Sequence, residues 1–258
     1  MGKSTLMEPT TCPNCNHIIE QHFCPQCGEK KFRRINMKDV VSDFFSNFIN
    51  LEGPILSTIK DLTLRPGKMI HDYLNGKRNK YYKPFQFYIL ATTVYFVFFY
   101  LWGYEMLEMF KDIGASYNTT ASSVEMNEFQ QKFREFYEKN MQKLNFLQIP
   151  VYAWLIWLFF KKKSGHSYTE TLVTALYIMA QALVFGIIST FFVSIHPSLP
   201  LWIGLLFLLL YLPWCLKQLY QENIVPTIVK SIVIIFLGFL IQGILGGIIS
   251  IAWILAFS

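Results

Sequence analysis

Long apolar runs dominate the chain from residue 84 onwards. A helix needs about 20 apolar residues to cross the hydrocarbon core of a bilayer, and about 17 is the lower limit. Charged residues make up only 16% of the chain, against about 25% in soluble domains. The sequence therefore predicts an α-helical integral membrane protein with a more polar N-terminal region. About five transmembrane helices are expected, near residues 85–104, 144–160, 171–193, 199–216 and 228–256.

The basic residues are unevenly distributed among the segments that connect these spans. Residues 1–83 carry 13 of the 23 Lys and Arg residues, and residues 161–163 are three consecutive lysines. The loop over 105–143 carries five Lys or Arg against seven acids, and its 122–143 part has the spacing of an amphipathic helix. Because Lys- and Arg-rich loops stay in the cytoplasm, we expect an inner-membrane protein with a cytoplasmic N-terminus and an external C-terminus.

The second and fourth predicted spans are the shortest of the five. The second, near 144–160, also contains Pro150. If it does not cross the bilayer completely, the topology of everything after it inverts. The five-span arrangement is favoured because it places 18 basic residues inside and five outside.

Four cysteines lie close together near the N-terminus, after a leader over residues 1–11 that we expect to be flexible. They form two Cys-x-x-Cys pairs, Cys12 with Cys15 and Cys24 with Cys27. Zinc prefers four thiolates in a tetrahedron, and each pair can supply two of them. The spacing predicts a zinc ribbon over residues 12–31 that holds one structural zinc ion.

The residues after each pair fit the tight turns of such a ribbon. Gly28 follows the last cysteine, where a positive φ is expected, and Asn16 holds the equivalent place in the first pair. His17 and His22 lie between the pairs and are expected on the surface, because four thiolates already complete the coordination shell.

Other interpretations of the four cysteines stay open. Two disulfides would need an oxidising compartment, which conflicts with a cytoplasmic N-terminus, and iron could use the same four ligands. A redox role is disfavoured because two symmetric pairs exceed what it needs. Four cysteines leave no open position for catalysis on the metal. The nearby basic residues are expected to face anionic lipid headgroups rather than nucleic acid.

The segment over residues 37–83 joins the ribbon to the first span and has several helical signals. Apolar residues recur at helical spacing over 37–50. A weaker helix is expected over 55–64, and a short one over 68–74 that stops at Asn75-Gly76. We therefore expect amphipathic and basic juxtamembrane helices in this segment.

Six Lys or Arg residues are concentrated in residues 65–83, interleaved with Tyr73, Tyr81 and Tyr82. One interpretation is an interfacial collar, in which the cations obey the positive-inside rule and the tyrosines form an aromatic belt. The other is a site for lipid headgroups or phosphate. Its candidate residues are Arg65, Lys77, Arg78 and Lys80.

The same segment carries a recognisable motif, RPG followed by YL, GKR, Y and P. In this chain the motif comprises Arg65, Pro66, Gly67, Tyr73, Leu74, Gly76, Lys77, Arg78, Tyr81 and Pro84. With the cysteine pairs before it, the motif resembles bacterial membrane proteins catalogued as domain of unknown function 3667, which pair a zinc ribbon with this segment. The resemblance covers about residues 12–95 and implies an architecture but no activity.

Ionisable side chains are nearly absent from the predicted spans. Polar residues at depth are neutral, namely Gln181, Ser189, Thr190, Gln242 and Ser250. Transporters and pumps usually place charged residues at depth. Gln181 and Gln242 are instead expected to form hydrogen bonds between helices. Gly243 and Gly247, four residues apart, would permit close helix contact within the bundle or between two copies.

These features favour a non-enzymatic membrane protein. Its cytoplasmic zinc ribbon would recruit or sense a protein partner, and the helical bundle would act as an anchor or scaffold. One alternative is a transporter or channel for a small or lipidic substrate. A second is a membrane-embedded enzyme that modifies lipid, with His71, Asp72 or His196 involved. Residues 71 and 196 are expected on opposite sides of the membrane, so these two histidines cannot share a site.

Overall fold

The computed structural model describes most of the helical region and the cysteine-rich region. The described residues are 10–19, 22–29, 31, 34–38, 54–101, 140, 146–162, 165–192, 195–196 and 199–257. The predicted amphipathic helices at 37–50 and 122–143 lie almost entirely outside them, as does most of the predicted leader.

Short elements come first and long helices follow. The cysteine-rich region holds an antiparallel pair of strands, β1 (Thr10–Thr11) and β2 (Ile18–Ile19). Two short helices, α1 (Ile55–Leu64) and α2 (Pro66–Leu74), agree closely with the expected helices at 55–64 and 68–74. The longer helices are α3 (Pro84–Leu101), α4 (146–162), α5 (Tyr168–Thr190), α6 (Leu199–Tyr220) and α7 (Ile224–Phe257).

Three of the described helices are long and apolar enough to cross a membrane. They are α5, α6 and the Ile224–Trp253 part of α7. At 1.5 Å per residue, the 34 residues of α7 extend about 51 Å, which exceeds the roughly 30 Å of hydrocarbon in a bilayer. The chain is therefore a membrane protein. Crossing by α3, whose Pro84–Phe98 part is a shorter apolar helix, and by α4 stays a prediction.

The short helices α1 and α2 are built into the core of the bundle. Helix α1 packs against α5, and α2 packs against α5 and α6. Leu62, Met69 and Ile70 are completely buried there. The hydroxyl of Tyr211 in α6 donates to the Leu62 carbonyl at 3.0 Å, which ties a long helix to α1.

The three tyrosines of the basic segment belong to this core. Tyr73, Tyr81 and Tyr82 are 3%, 3% and 8% exposed. The expectation that they form an interfacial aromatic belt is therefore wrong. A sequence pattern of tyrosines among cations does not distinguish side chains at a membrane surface from side chains that point into a protein core.

Helices α2 and α6 cross at very close range. A Cβ on Gly67 would lie 2.4 Å from Gln218 Cβ, 2.4 Å from the backbone nitrogen of Leu219 and 2.5 Å from the Cys215 carbonyl oxygen. Only glycine allows the two backbones to approach this closely. Cys215 itself is completely buried.

Candidate metal centre

The four cysteine side chains converge on one point, as the sequence predicts. Their sulfur atoms all lie within 4.8 Å of one another. The Sγ atoms are 3.6 Å apart for Cys12 and Cys27, and 3.4 Å apart for Cys15 and Cys24. Tetrahedral zinc with Zn–S bonds of about 2.3 Å separates its sulfurs by about 3.8 Å. All four thiols are free rather than disulfide-bonded, so the cluster could bind a metal ion.

The backbone of the two Cys-x-x-Cys turns follows one repeated pattern. The N–H of Asn16 donates to the Cys12 carbonyl, and the N–H of Gly28 donates to the Cys24 carbonyl, each at 2.9 Å. Asn16 has φ of 62° and Gly28 has φ of 71°. The predicted positive φ is therefore confirmed in both turns, which explains why asparagine and glycine occupy these places.

The ionisation of the thiols favours a bound cation. Burial disfavours the Cys24 thiolate, but the backbone N–H groups of Cys27 and Gln26 outweigh burial and lower the pKa of Cys24 to about 6. At Cys15 a backbone hydrogen bond from His17 favours the thiolate. Burial and hydrogen bonds with the other three sulfurs outweigh it and raise the pKa of Cys15 to about 12. Like charges this close repel, so a nearby cation is needed before all four ionise.

The module that holds the four cysteines contacts the loop between α2 and α3. Glu29, which follows the second cysteine pair, is only 2% exposed. Its Oε2 atom accepts a hydrogen bond of 3.0 Å from the backbone N–H of Asn79. The Asn79 side-chain nitrogen also lies 3.5 Å from the Cys27 carbonyl oxygen. The second Cys-x-x-Cys turn is thereby held against the bundle.

A second attachment follows a few residues later, at Arg34. Its Nε donates to Glu170 Oε1 at 2.9 Å, and its Nη2 donates to the Gly165 carbonyl at 2.7 Å. Glu170 also forms a capping box with Ser167 at the start of α5. Ile35 is 7% exposed and belongs to the core of the bundle. The Ser-x-x-Glu spacing at 167–170 could have revealed this cap in the sequence.

Asp61 lies at the centre of the predicted headgroup site. It is 7% exposed and accepts from Arg65 at 2.9 and 3.1 Å, from Tyr81 at 3.0 Å and from Lys80 at 3.3 Å. Burial opposes its charge, but the hydrogen bonds from Arg65, Tyr81 and Lys80 outweigh burial and lower the pKa of Asp61. Asp61 and Arg65 are four residues apart on one helix face, a spacing that signals such a pair.

The other candidates of that site are placed nearby. Lys77 donates to Asp72 at 3.2 Å, and Arg78 is half-buried. Arg65, Lys77 and Lys80 thus already neutralise carboxylates of the chain itself. Contact of the four cations with headgroups or phosphate stays a prediction, and a ligand would have to share them with these carboxylates.

The histidines raised as catalytic candidates lie at separate places. His71 is exposed, and its ring nitrogens lie 3.0 and 3.1 Å from the Asn75 side-chain nitrogen. Asp72 pairs with Lys77. His196 is exposed between α5 and α6, whereas His71 precedes α3. His71 and Asp72 thus make ordinary hydrogen bonds to neighbouring side chains.

The polar and small residues of the long helices fall into different environments. Gln181 Nε2 in α5 donates to Thr63 Oγ1 in α1 at 2.8 Å, so its predicted bond between helices is confirmed. A Cβ on Gly243 or Gly247 would have no neighbour within 4 Å. Contact between two copies at these glycines stays a prediction.

Comparison with known proteins gives one family match. Residues 52–96 match the family model described as protein of unknown function (DUF3667). No curated protein and no solved structure matches the chain. The matched range contains α1, α2, Asp61, Gly67 and the Asn79 that contacts the cysteine module. The similarity to the DUF3667 family thus covers residues 52–96 of the 258.

Proposed function

We propose that the cysteine module binds one structural zinc ion and presents a surface that recruits or senses a cytoplasmic protein. The helical bundle would act as its anchor or scaffold. The observation that carries this proposal is the closed four-thiol cluster, held on the bundle through Glu29 and Asn79. A complete shell of soft thiolates suits zinc in a structural role and leaves no ligand position for a substrate.

The position of the module supports its assignment to the cytoplasmic side. Arg34 contacts Gly165 in the connection between α4 and α5. The lysines at 161–163 are at the end of α4 and directly after it in the sequence, and Lys-rich segments next to membrane spans stay in the cytoplasm. Lys161 and Lys162 are exposed there. They are suited to contact anionic headgroups, worth about 1 kcal/mol per cation near the surface.

The module offers exposed apolar side chains to a partner. Ile18 and Phe23 are each 58% exposed, although the buried interior of the module is small and consists mainly of Cys12, Ile19 and Cys24. Protein interfaces typically surround apolar side chains with polar ones. Ile18 and Phe23 are therefore the residues that we expect a partner to cover.

Site-specific cross-linking in cells tests this proposal on the full chain. A photoreactive amino acid would replace Ile18 or Phe23, and the control would carry it at Leu56, an exposed residue of α1. We expect the same cytoplasmic protein to be captured from positions 18 and 23 but not from 56. Capture should disappear when Cys12 and Cys27 are both changed to Ser, with loss of one zinc per chain by elemental analysis.

Two results would contradict the proposal. One is the absence of any specific capture from positions 18 and 23 in protein that retains its zinc. The other is capture that persists unchanged after the Cys12→Ser and Cys27→Ser substitutions have removed the metal.

A further inference from the structure

A partly open cavity lies between α4 and α7. Its lining combines three aliphatic side chains with Gln148, Tyr152 and Gln242, and with the backbone of Gly238 and Gly246. The cavity is separate from the metal centre and from the Asp61 cluster.

Two glycines of α7 explain why the cavity exists. A Cβ on Gly238 would lie 2.5 Å from the Tyr152 ring, so this glycine admits the tyrosine against the helix. Gly246 lies eight residues further along the same helix and is buried, yet a Cβ there would meet no atom of the described residues within 4 Å. The missing side chain of Gly246 therefore leaves the space open.

The polar groups of the lining point to a neutral ligand. Gln148 and Gln242 are half-buried amides, and neither has a hydrogen-bond partner in the described part of the chain. An amide without a partner in an apolar setting is unfavourable by about 1–3 kcal/mol. No acidic or basic residue is among the described residues that line the cavity. A carbonyl or hydroxyl group would satisfy these amides, whereas an ionised group would find no counter-charge.

A bilayer crossing by α4, which the sequence predicts, would place the cavity inside the hydrocarbon. The Lys230 ammonium lies 4.7 Å from the centre of the Phe160 ring, so the ends of α4 and α7 that carry Lys161 and Lys230 are adjacent. Gln148 and Gln242 are 13 and 12 residues from those lysines, or about 18–20 Å along each helix. In hydrocarbon about 30 Å thick, both amides therefore lie past the midplane, in the leaflet away from the lysines.

We propose that this cavity binds a neutral lipid, with Gln148 and Gln242 hydrogen-bonded to its carbonyl or hydroxyl oxygen. Tyr152 and the aliphatic side chains contact the apolar body of the lipid. The neighbouring surface of α7 faces the bilayer, since Phe239 and Ile244 are 51% and 53% exposed. A lipid can therefore approach laterally without passing through water. This inference is independent of the proposed role of the metal centre.

Photolabelling of the full chain in phosphatidylcholine vesicles tests the proposal. The probe is a diacylglycerol with a diazirine in one acyl chain, and the labelled peptides are identified by mass spectrometry. We expect labelling in 146–152 and 238–246 that unlabelled diacylglycerol displaces and an equal amount of phosphatidic acid does not. Gly246→Leu should reduce labelling at least about tenfold by filling the cavity. Gly243→Leu, at an open glycine outside the lining, should leave it unchanged.

A second variant keeps the test decisive if Gly246→Leu does not fold. Replacing Gln148 and Gln242 together with Leu preserves approximate size and removes both amides, so diacylglycerol should compete about tenfold less well. Both variants are checked for monodisperse elution and helical circular dichroism. Labelling unaffected by the substitutions, or displaced equally by phosphatidic acid, would show contact with surrounding lipid only and overturn the proposal.

Discussion

Replacing Gly67 with Ala tests the close crossing of α2 and α6. The new Cβ would lie 2.4 Å from Gln218 Cβ and from the Leu219 backbone nitrogen, so the helices must separate by about 1 Å to reach ordinary contact. Such overpacking typically destabilises a core by about 1–3 kcal/mol. Because two of the three nearest atoms belong to the backbone of α6 and cannot rotate away, we expect the upper part of that range.

Helix propensity opposes this effect but is smaller. Alanine is favoured over glycine inside a helix by about 1 kcal/mol, so the net loss for Gly67→Ala is about 2 kcal/mol. For a chain of this size, 1 kcal/mol lowers Tm by about 2–4 °C, and the expected decrease is about 4–8 °C. Thermal unfolding of the purified protein in detergent measures it.

Gly204→Ala provides the matched control for Gly67→Ala. Gly204 lies in α6, and a Cβ there has no neighbour within 4 Å. Only the propensity gain applies, so the Tm of this variant should stay unchanged or rise slightly. The reasoning fails if Gly67→Ala is as stable as Gly204→Ala, because the backbones would then tolerate the methyl group.

Four further predictions concern the contacts around the cysteine module and the core. The lowered pKa of Asp61 means that its ionised side chain stabilises the folded state. This stabilisation is full above the unfolded pKa, about 3.9, and is lost as pH falls through the lower folded pKa. Acid unfolding of the Asp61→Asn variant should lack this pH-dependent loss of stability. Ser167→Ala should lower the free energy of unfolding by about 1 kcal/mol. Glu170→Gln should lower the free energy of unfolding by less, because glutamine retains the cap. The ion pair that this variant loses contributes little, since its partner Arg34 is 64% exposed. Zinc chelation should accelerate hydrogen exchange at the Asn79 amide but not at Ser167.

Local patterns in the sequence were sufficient to predict the convergence of the four cysteines and the short helices. The Cys-x-x-Cys spacing, the turn residues Asn16 and Gly28, and the stop at Asn75-Gly76 all act over a few neighbouring residues. The structure reproduces the convergence of the sulfurs, both positive φ angles and the helix over Ile55–Leu64. Backbone conformation over such short distances follows directly from residue type.

Contacts between distant residues could not be read from the sequence in the same way. Glu29 and Asn79 are 50 residues apart, and Arg34 and Glu170 are 136 apart. Nothing in the local pattern of either member specifies its partner. The cavity beside Gly246 was missed for a related reason, since glycine spacing shows where helices can approach but not where the space stays empty.

The two attachments of the metal module differ in their dependence on the metal. Glu29 follows the second Cys-x-x-Cys turn directly, so its position depends on the fold of that turn. The buried interior of the module is very small, and folding of such modules depends on metal binding. Arg34 and Ile35 lie outside the cysteine turns and are held by α5 and by the core of the bundle. Loss of metal should therefore release the module from Asn79 while the chain stays anchored at Arg34. A change at the cysteines would then alter the surroundings of Asn79, within residues 52–96, through the Glu29–Asn79 contact.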